Sequence, residues 1–307
     1  MSAKHLSPSS FHCPPLTRNE KQRFKELGIA SAYELAKKAQ ISGGPMQWEL
    51  DSNEHDLKLY VSNVAEGGCS STPYLSTITV MGTMSEVLDL FRFQTTEEAK
   101  EYCRRFGTVS DDAVDLYSIV SVTPETPHEM IGISWHGFKT SIVDTVLPRR
   151  DACLLIVHHA FEFNGKNVWV RCVKSIDVPC CPESPDFVRM TLYTSGYVVT
   201  ESDRPGFVHV AFVTHANVGG RLGEYASWFI DMSSRKRCRH LTAIDRQINR
   251  ASVYLLSLSV AVWSIQQENQ LLKVWRSLLS SMCSSVACEE PRILTKPMCV
   301  PNARWES

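Results

Sequence analysis

Asn164-Gly165 separates two long apolar stretches, residues 152–163 and 167–178, and it constrains the chain more than any other feature. Both central residues of a tight hairpin turn need positive φ, which Asn and Gly tolerate, so the pair predicts a β-hairpin. At roughly 3.3 Å per residue each arm is about 30 Å long. A sheet built on such arms twists and curves, and a curved sheet can wrap around something. From Cys153 to Val157 residues of both parities are apolar, so periodicity alone does not say which face is the inner one.

Further elements fall in place on either side. Phe24, Leu27, Tyr33, Leu35 and Ala39 recur at helical spacing between Asn19 and Gln40, interrupted at Gly28 and stopped by Gly43-Gly44-Pro45. Strands are expected at 47–50, 57–64 and 75–84. A helix capped by Ser85 runs to about Arg92, and a second, capped by Thr95 or Thr96, covers 97–106. Strands return at 114–122, 130–139, 188–201 and 207–216, and a basic helix covers 224–250. The order α-βββ-αα-ββββββ-α predicts an α+β fold, with helices packed against one antiparallel sheet. Residues 1–18 are expected to be a flexible leader, 19–250 the main domain, and 251–307 a helical extension (to about Met282) with a tail.

Of the 307 residues 43% are hydrophobic, enough for a sizeable core, and the formal net charge of −1 argues against a dedicated nucleic-acid binder. Eleven cysteines, an odd number, and no Asn-x-Ser/Thr acceptor favour reduced thiols and a cytoplasmic location. The most apolar segment, Val253 to Ile265, has 13 residues, three of them serine. Crossing a bilayer takes about 20.

A string of motifs in the second half carries a resemblance. Arg150-Asp151 opens the first long strand. Ser175-Ile176-Asp177-Val178-Pro179-Cys180-Cys181-Pro182-Glu183 follows the hairpin. Then come 188–199, 207–213 and Trp228-Phe229-Ile230. In that order they resemble the START (steroidogenic-acute-regulatory-related lipid transfer) domain. The run Lys21 to Ala39, with Trp228 to Met232 and Arg235 to Arg239, is similar to START-like proteins of oomycetes. The resemblance implies a helix-grip fold, in which a curved antiparallel sheet wraps around a long C-terminal helix and encloses a lipid tunnel. An Ala at 152 departs from the aromatic that many members carry after Arg-Asp. The zinc-binding FYVE finger of some relatives is absent, since no Cys-x-x-Cys occurs.

Counting from Arg150-Asp151, the resemblance places Leu154, Ile156 and His158 towards the tunnel. Ile156 stands where some relatives hold a buried charge. Trp135, Met190, Leu192, Val210 and Phe212 complete the expected wall. Trp228, Phe229 and Met232, with Leu241, Ile244 and Ile248, are expected as the inward stripe of the closing helix. Ordinary core packing competes with a lipid role at each. Arg235, Lys236, Arg237 and Arg239 are expected to contact a membrane, worth about 1 kcal/mol per basic residue against anionic headgroups; a solvated helix face is the competing reading.

Burial is worth about 0.8 kcal/mol per CH₂, so a lipid chain can be held without covalent or metal chemistry. The expected function is binding, and transfer or sensing, of a sterol, phospholipid or sphingolipid by a monomer that meets membranes peripherally. No catalysis, cofactor or metal is expected. Cys153 and His158 fall on opposite faces of one strand and cannot form a dyad. Cys180-Cys181 is poor zinc geometry, and no phosphate-binding glycine loop occurs. The alternative is a regulatory interaction module with a filled cavity.

Overall fold

A computed structural model of the chain describes residues 6, 8–64, 71–91, 110–138, 149–220 and 227–248. All belong to one compact unit, Met1–Arg250. The helix expected at 97–106 and the extension beyond 250 lie outside the described residues.

Helix α1 spans Arg18–Lys38. Thr17 caps it by accepting from the Glu20 backbone N–H at 3.2 Å, and the Glu20 carboxylate accepts from the Thr17 N–H at 2.8 Å. This reciprocal box satisfies two backbone donors that a helix start otherwise leaves open. Strands β1 (Trp48–Glu54), β2 (Leu57–Ser62) and β3 (Tyr74–Met81) follow. Helix α2 covers Met84–Asp89 and uses the same device with Thr83 and Glu86, so the cap is Thr83 and not Ser85. Then come β4 (Ser110–Val120), β5 (Met130–Phe138), β6 (Arg150–Phe163) and β7 (Lys166–Ser175). Asn164 and Gly165 have φ of 54° and 74°, the left-handed pair the hairpin requires.

The single strand expected at 188–201 is three. β8 (Val188–Arg189) runs parallel to the start of β6, β9 (Thr191–Leu192) pairs with β12 (Ala216–Asn217), and only β10 (Ser195–Glu201) joins β7 and β11 (Phe207–Thr214). The cause is a buried charge. Asp151 accepts from Arg189 Nε and Nη2, both at 2.9 Å, and this ion pair draws the chain onto β6 before β10 can begin. The main sheet then reads β1-β2-β3-β11-β10-β7-β6-β5-β4, antiparallel throughout this path. Helix α3 (Ser227–Cys238) and a second helical stretch, 241–248, follow it.

Cross-strand neighbours share a face, so the register sorts the core in two. On one face, Phe24, Ala32, Leu35 and Ala36 of α1 pack with Ile131, Leu155, Val157 and Val170. On the other, α2 and residues 241–248 pack over β3, β10 and β11. The leader joins the first face rather than hanging free. Leu6, Phe11, Cys13 and Leu16 pack against the core, and Tyr117 Oη donates to the Pro14 carbonyl at 3.0 Å.

Gly28 does not break α1; it lets the helix approach the sheet. A Cβ there would stand 3.1 Å from Val157 Cγ2 and 3.3 Å from Ile131. Replacing Gly28 by Leu is expected to lower unfolding free energy by about 1–3 kcal/mol through overpacking, despite the helix-propensity gain of up to about 1 kcal/mol. Urea unfolding followed by circular dichroism measures it; an unchanged midpoint would mean that α1 can lift without loss.

Candidate functional site

The face opposite α1 is built from alternate residues of six strands. Its middle row crosses the sheet as His158, Arg171, Tyr197, Phe212, Ser76 and Leu59. One row away lie Trp169, Val199, Val210 and Ile78, which pack with Phe91, Leu241, Ile244 and Ile248. On the other side Leu154, Ile156, Met190 and Ala216 form a separate apolar patch, with Leu192 and Val173 against it. Two oily surfaces are thus divided by an imidazole and a guanidinium on neighbouring strands.

These polar groups sit where they do because the backbone admits them. Gly196 has a φ of 141°, and a Cβ there would lie 1.9 Å from the Arg171 carbonyl oxygen. Only glycine lets β10 approach β7 at this point. His158 Nε2 is buried without a hydrogen-bond partner, and its ring stands edge-on to Trp169 at 5.3 Å. Burial and then the Arg171 charge push the imidazole down to about 3. His136, on the same face, is pushed down to about 4 by the same two causes. Both rings are neutral at physiological pH. A neutral imidazole offers one hydrogen-bond donor or acceptor in an apolar wall without carrying charge into it.

Leu154, Ile156, His158, Met190, Leu192, Val210 and Phe212 therefore share the face opposite α1. Trp135 does not. It pairs with Cys153, faces α1, packs on Phe11 and Phe187, and donates from Nε1 to Asp151 at 2.8 Å. The tryptophan completes the structural network around Arg150-Asp151 instead of a wall.

The closing helix is also turned from its expected phase. Trp228 is 66% exposed and Met232 46% exposed, while Ser234, Cys238, Leu241, Ile244 and Ile248 are buried. In the unbroken helix expected over 224–250, a step of nine residues at 100° each ends half a turn away, so Met232 and Leu241 could not share a stripe. The side chain of Phe229 lies outside the described residues. Between α3 and 241–248 the chain tightens, with His240 N bonded to Arg237 O at 3.1 Å and Ala243 N to His240 O at 2.9 Å.

The basic cluster is largely engaged within the molecule. Arg235 pairs with Asp51 and lies over the Tyr74 ring, and Arg239 forks onto Glu54 at 2.6–3.0 Å. Arg237 turns inward, its Nε buried, and Nη2 reaches Ser234 Oγ at 3.3 Å. Lys236 alone of the four is exposed without such a contact among the described residues. Nothing in a single sequence signals that β1, some 185 residues earlier, supplies the counter-charges. Among the described residues no group of three or more His, Cys, Asp or Glu could hold a metal, and no helix is long and apolar enough to cross a membrane.

The imidazoles give the fold an acid sensitivity of known sign. Their folded values lie below the 6.5 of an unperturbed histidine, so the stability of keeping them neutral is complete above about pH 6.5 and is lost as pH falls towards 4 and 3. Unfolding free energy is expected to drop between pH 6.5 and 4.5, above the range in which carboxylates held low, such as Glu34, take up protons. Denaturant titrations across that window check it, with His158→Phe expected to flatten the slope. A level profile in the wild-type chain would place both rings in water.

Residues 138–244 match the START domain family model. No curated protein matches the chain by sequence. Among solved structures the chain is similar to human StAR-related lipid transfer protein 5, with a TM-score of 0.56 at 14% identity, over 76% of this chain and 99% of that one. It also matches human STARD10 (TM-score 0.48, 13% identity, 80% and 84% covered). A third match is a STAR-related lipid transfer protein fragment from Xanthomonas axonopodis (0.46, 15%, 66% and 98%). Sheet order, the helix on each face and the family match agree: the chain carries the α+β helix-grip fold of START domains.

Proposed function

We propose that this chain binds a lipid on the sheet face opposite α1 and carries or senses it at membranes, without catalysing a reaction on it. The observation that carries the reading is the divided wall: Leu154, Ile156 and Met190 on one side, Trp169, Val199 and Val210 on the other, with the partnerless ring nitrogen of His158 between them. Apolar walls retain acyl chains or a sterol skeleton, each CH₂ contributing about 0.8 kcal/mol. The imidazole hydrogen-bonds the ligand's polar group, with Arg171 beside it. The ligand class is sterol, phospholipid or sphingolipid, and the protein works as a cytoplasmic monomer. The run Lys21 to Ala39 with Trp228 to Met232 and Arg235 to Arg239 favours a relationship to the START-like proteins of oomycetes.

Helix α3 and residues 241–248 close this face, and opening begins at α3. Arg235–Asp51 and Arg239–Glu54 are partly exposed pairs, each worth about 0–1 kcal/mol and screened by salt. Residues 241–248 are held by three fully buried aliphatic side chains. The tightened turn at Arg239-His240 is the hinge. On the outer side of α3, Trp228, Met232 and Lys236 recur at four-residue spacing, which gives an interfacial stripe of one aromatic, one thioether and one cation. This stripe, rather than the arginines, is the membrane contact.

The purified protein is expected to carry about one lipid per chain in native mass spectrometry, and Ile156→Trp to lose it while keeping its circular dichroism spectrum. A wild-type chain that is empty and extracts no sterol, phospholipid or ceramide from vesicles sinks the proposal. Sedimentation with anionic vesicles tests the stripe. Trp228→Ala with Met232→Ala is expected to weaken binding by roughly tenfold or more, and Arg239→Gln to leave it within about twofold. The reverse ranking would return the contact to the arginines.

A further inference from the structure

Six cysteines fall among the described residues, all free; five lie on the α1 side of the sheet, Cys172 against Ser31 of α1 and the other four around Cys153. Cys153, Cys180 and Cys181 are buried in one apolar cluster with Trp135 and Phe187, and Cys13 packs against it. They are arranged in pairs. The thiols of Cys153 and Cys181 face each other, as do those of Cys13 and Cys180. The backbone enforces the first pairing. Ile176, the first residue after β7, donates its N–H to the Cys153 carbonyl at 3.0 Å, and a turn closed by Cys181 N to Val178 O at 3.0 Å brings the chain back over β6.

Among the described residues a guanidinium touches the Cys181 thiol. Arg189 Nη2 lies 3.9 Å from Cys181 Sγ, and Nη1 bonds the Cys181 carbonyl at 3.3 Å while the same guanidinium forks onto Asp151. Its position is thus fixed from two sides. The thiol of Cys181 is held below the ordinary range, chiefly by the hydrogen bond from Cys153 and also by the Arg189 charge, against the opposing effect of burial. Cys13 is pushed up to about 11, mainly by burial, and Cys172 and Cys238 up to about 12 for the same reason. Thiolate character decides which sulfur attacks an oxidant.

We propose that Cys181 is a peroxide-reactive thiol and Cys153 the sulfur that resolves it into an intramolecular disulfide. The Cys181 thiolate attacks one oxygen of hydrogen peroxide; the O–O bond breaks, hydroxide leaves, and Cys181 becomes a sulfenic acid. The Cys153 sulfur then displaces the hydroxyl, its own proton departing with it as water. Two thiols lose two electrons in all, and one peroxide becomes two waters. Hydrogen peroxide is small and uncharged, so it reaches thiols that a bulky disulfide reagent would not. The cross-link fastens the 176–187 loop to β6, beside the Asp151 network that also orders β8.

The test uses the full chain, reduced and then exposed to hydrogen peroxide, alkylated and mapped by mass spectrometry. A peptide joined through Cys153 and Cys181 is expected, forming at least about tenfold faster than any change at the buried controls Cys172 and Cys238. C180S should keep the cross-link and C181S should abolish it, which separates the adjacent cysteines. C153S, which keeps a hydroxyl donor beside Cys181, should leave that sulfur as a sulfenic acid that dimedone traps once the chain is unfolded, so the assignment does not depend on C181S folding. A cross-link through Cys13 and Cys180 instead, equal rates at all four sites, or no dimedone adduct at Cys181 in C153S would overturn it.

Discussion

Strand β6 cannot leave either side in water, because from Ala152 to Val157 every residue is apolar and every residue is buried. Most antiparallel strands satisfy one face with a core and wet the other. Here both faces need a cover, and the two covers differ in kind. Against Cys153, Leu155 and Val157 comes α1, approaching so closely that a Cβ at position 28 would stand 3.1 Å from Val157. Against Leu154 and Ile156 comes a thinner assembly of Met190, Leu192 and Ala216 from short pieces of strand. The first cover is a long capped helix and the second is not, so the two sides of one strand have unequal rigidity. The proposed ligand site lies on the side with the looser cover.

Asp151 ties these sides together. Its carboxylate is buried, and a buried charge is tolerated only when its oxygens are filled. Trp135 fills one from β5 and Arg189 forks onto both from β8. The same contact that stabilises the charge sets the path of residues 176–190, stops β8 from merging with β10, and brings Cys181 beside Cys153. Removing either partner would strand the carboxylate, which costs far more than the pair contributes when intact. Thus Arg150-Asp151, the pair that opens the first long strand, proves to be the anchor of a whole segment.

Much of this was legible from residue order, and the failures have physical causes. The Asn164-Gly165 turn and the parity of Leu154, Ile156 and His158 follow from local rules, since a two-residue hairpin and a period of two leave little freedom. Trp135 was expected in the wall, but its face depends on the β5–β6 register, which sets it opposite Cys153 and so against α1. Trp228 and Met232 were grouped with Leu241 on hydrophobicity, although nine residues of helix separate opposite sides. The breaks at 190 and 193 were not readable at all, because they follow from Arg189 meeting a residue 38 positions earlier. Nor were the counter-charges of Arg235 and Arg239, which lie on the first strand of the chain.

Those last contacts change what the C-terminal helical run is. A basic cluster free in solvent would be a permanent lure for anionic surfaces, and the chain would be drawn to membranes wherever it met them. With Arg235 and Arg239 neutralised by Asp51 and Glu54 and Arg237 turned inward, the electrostatic pull of the closed form is mostly internal. The same charges that hold α3 shut are the ones an anionic bilayer would compete for, and salt weakens both attractions alike. In the proposed mechanism these arginines serve to hold α3 against β1, while the exposed Trp228 and Met232 meet the bilayer, so closure and attachment rest on different side chains of one helix.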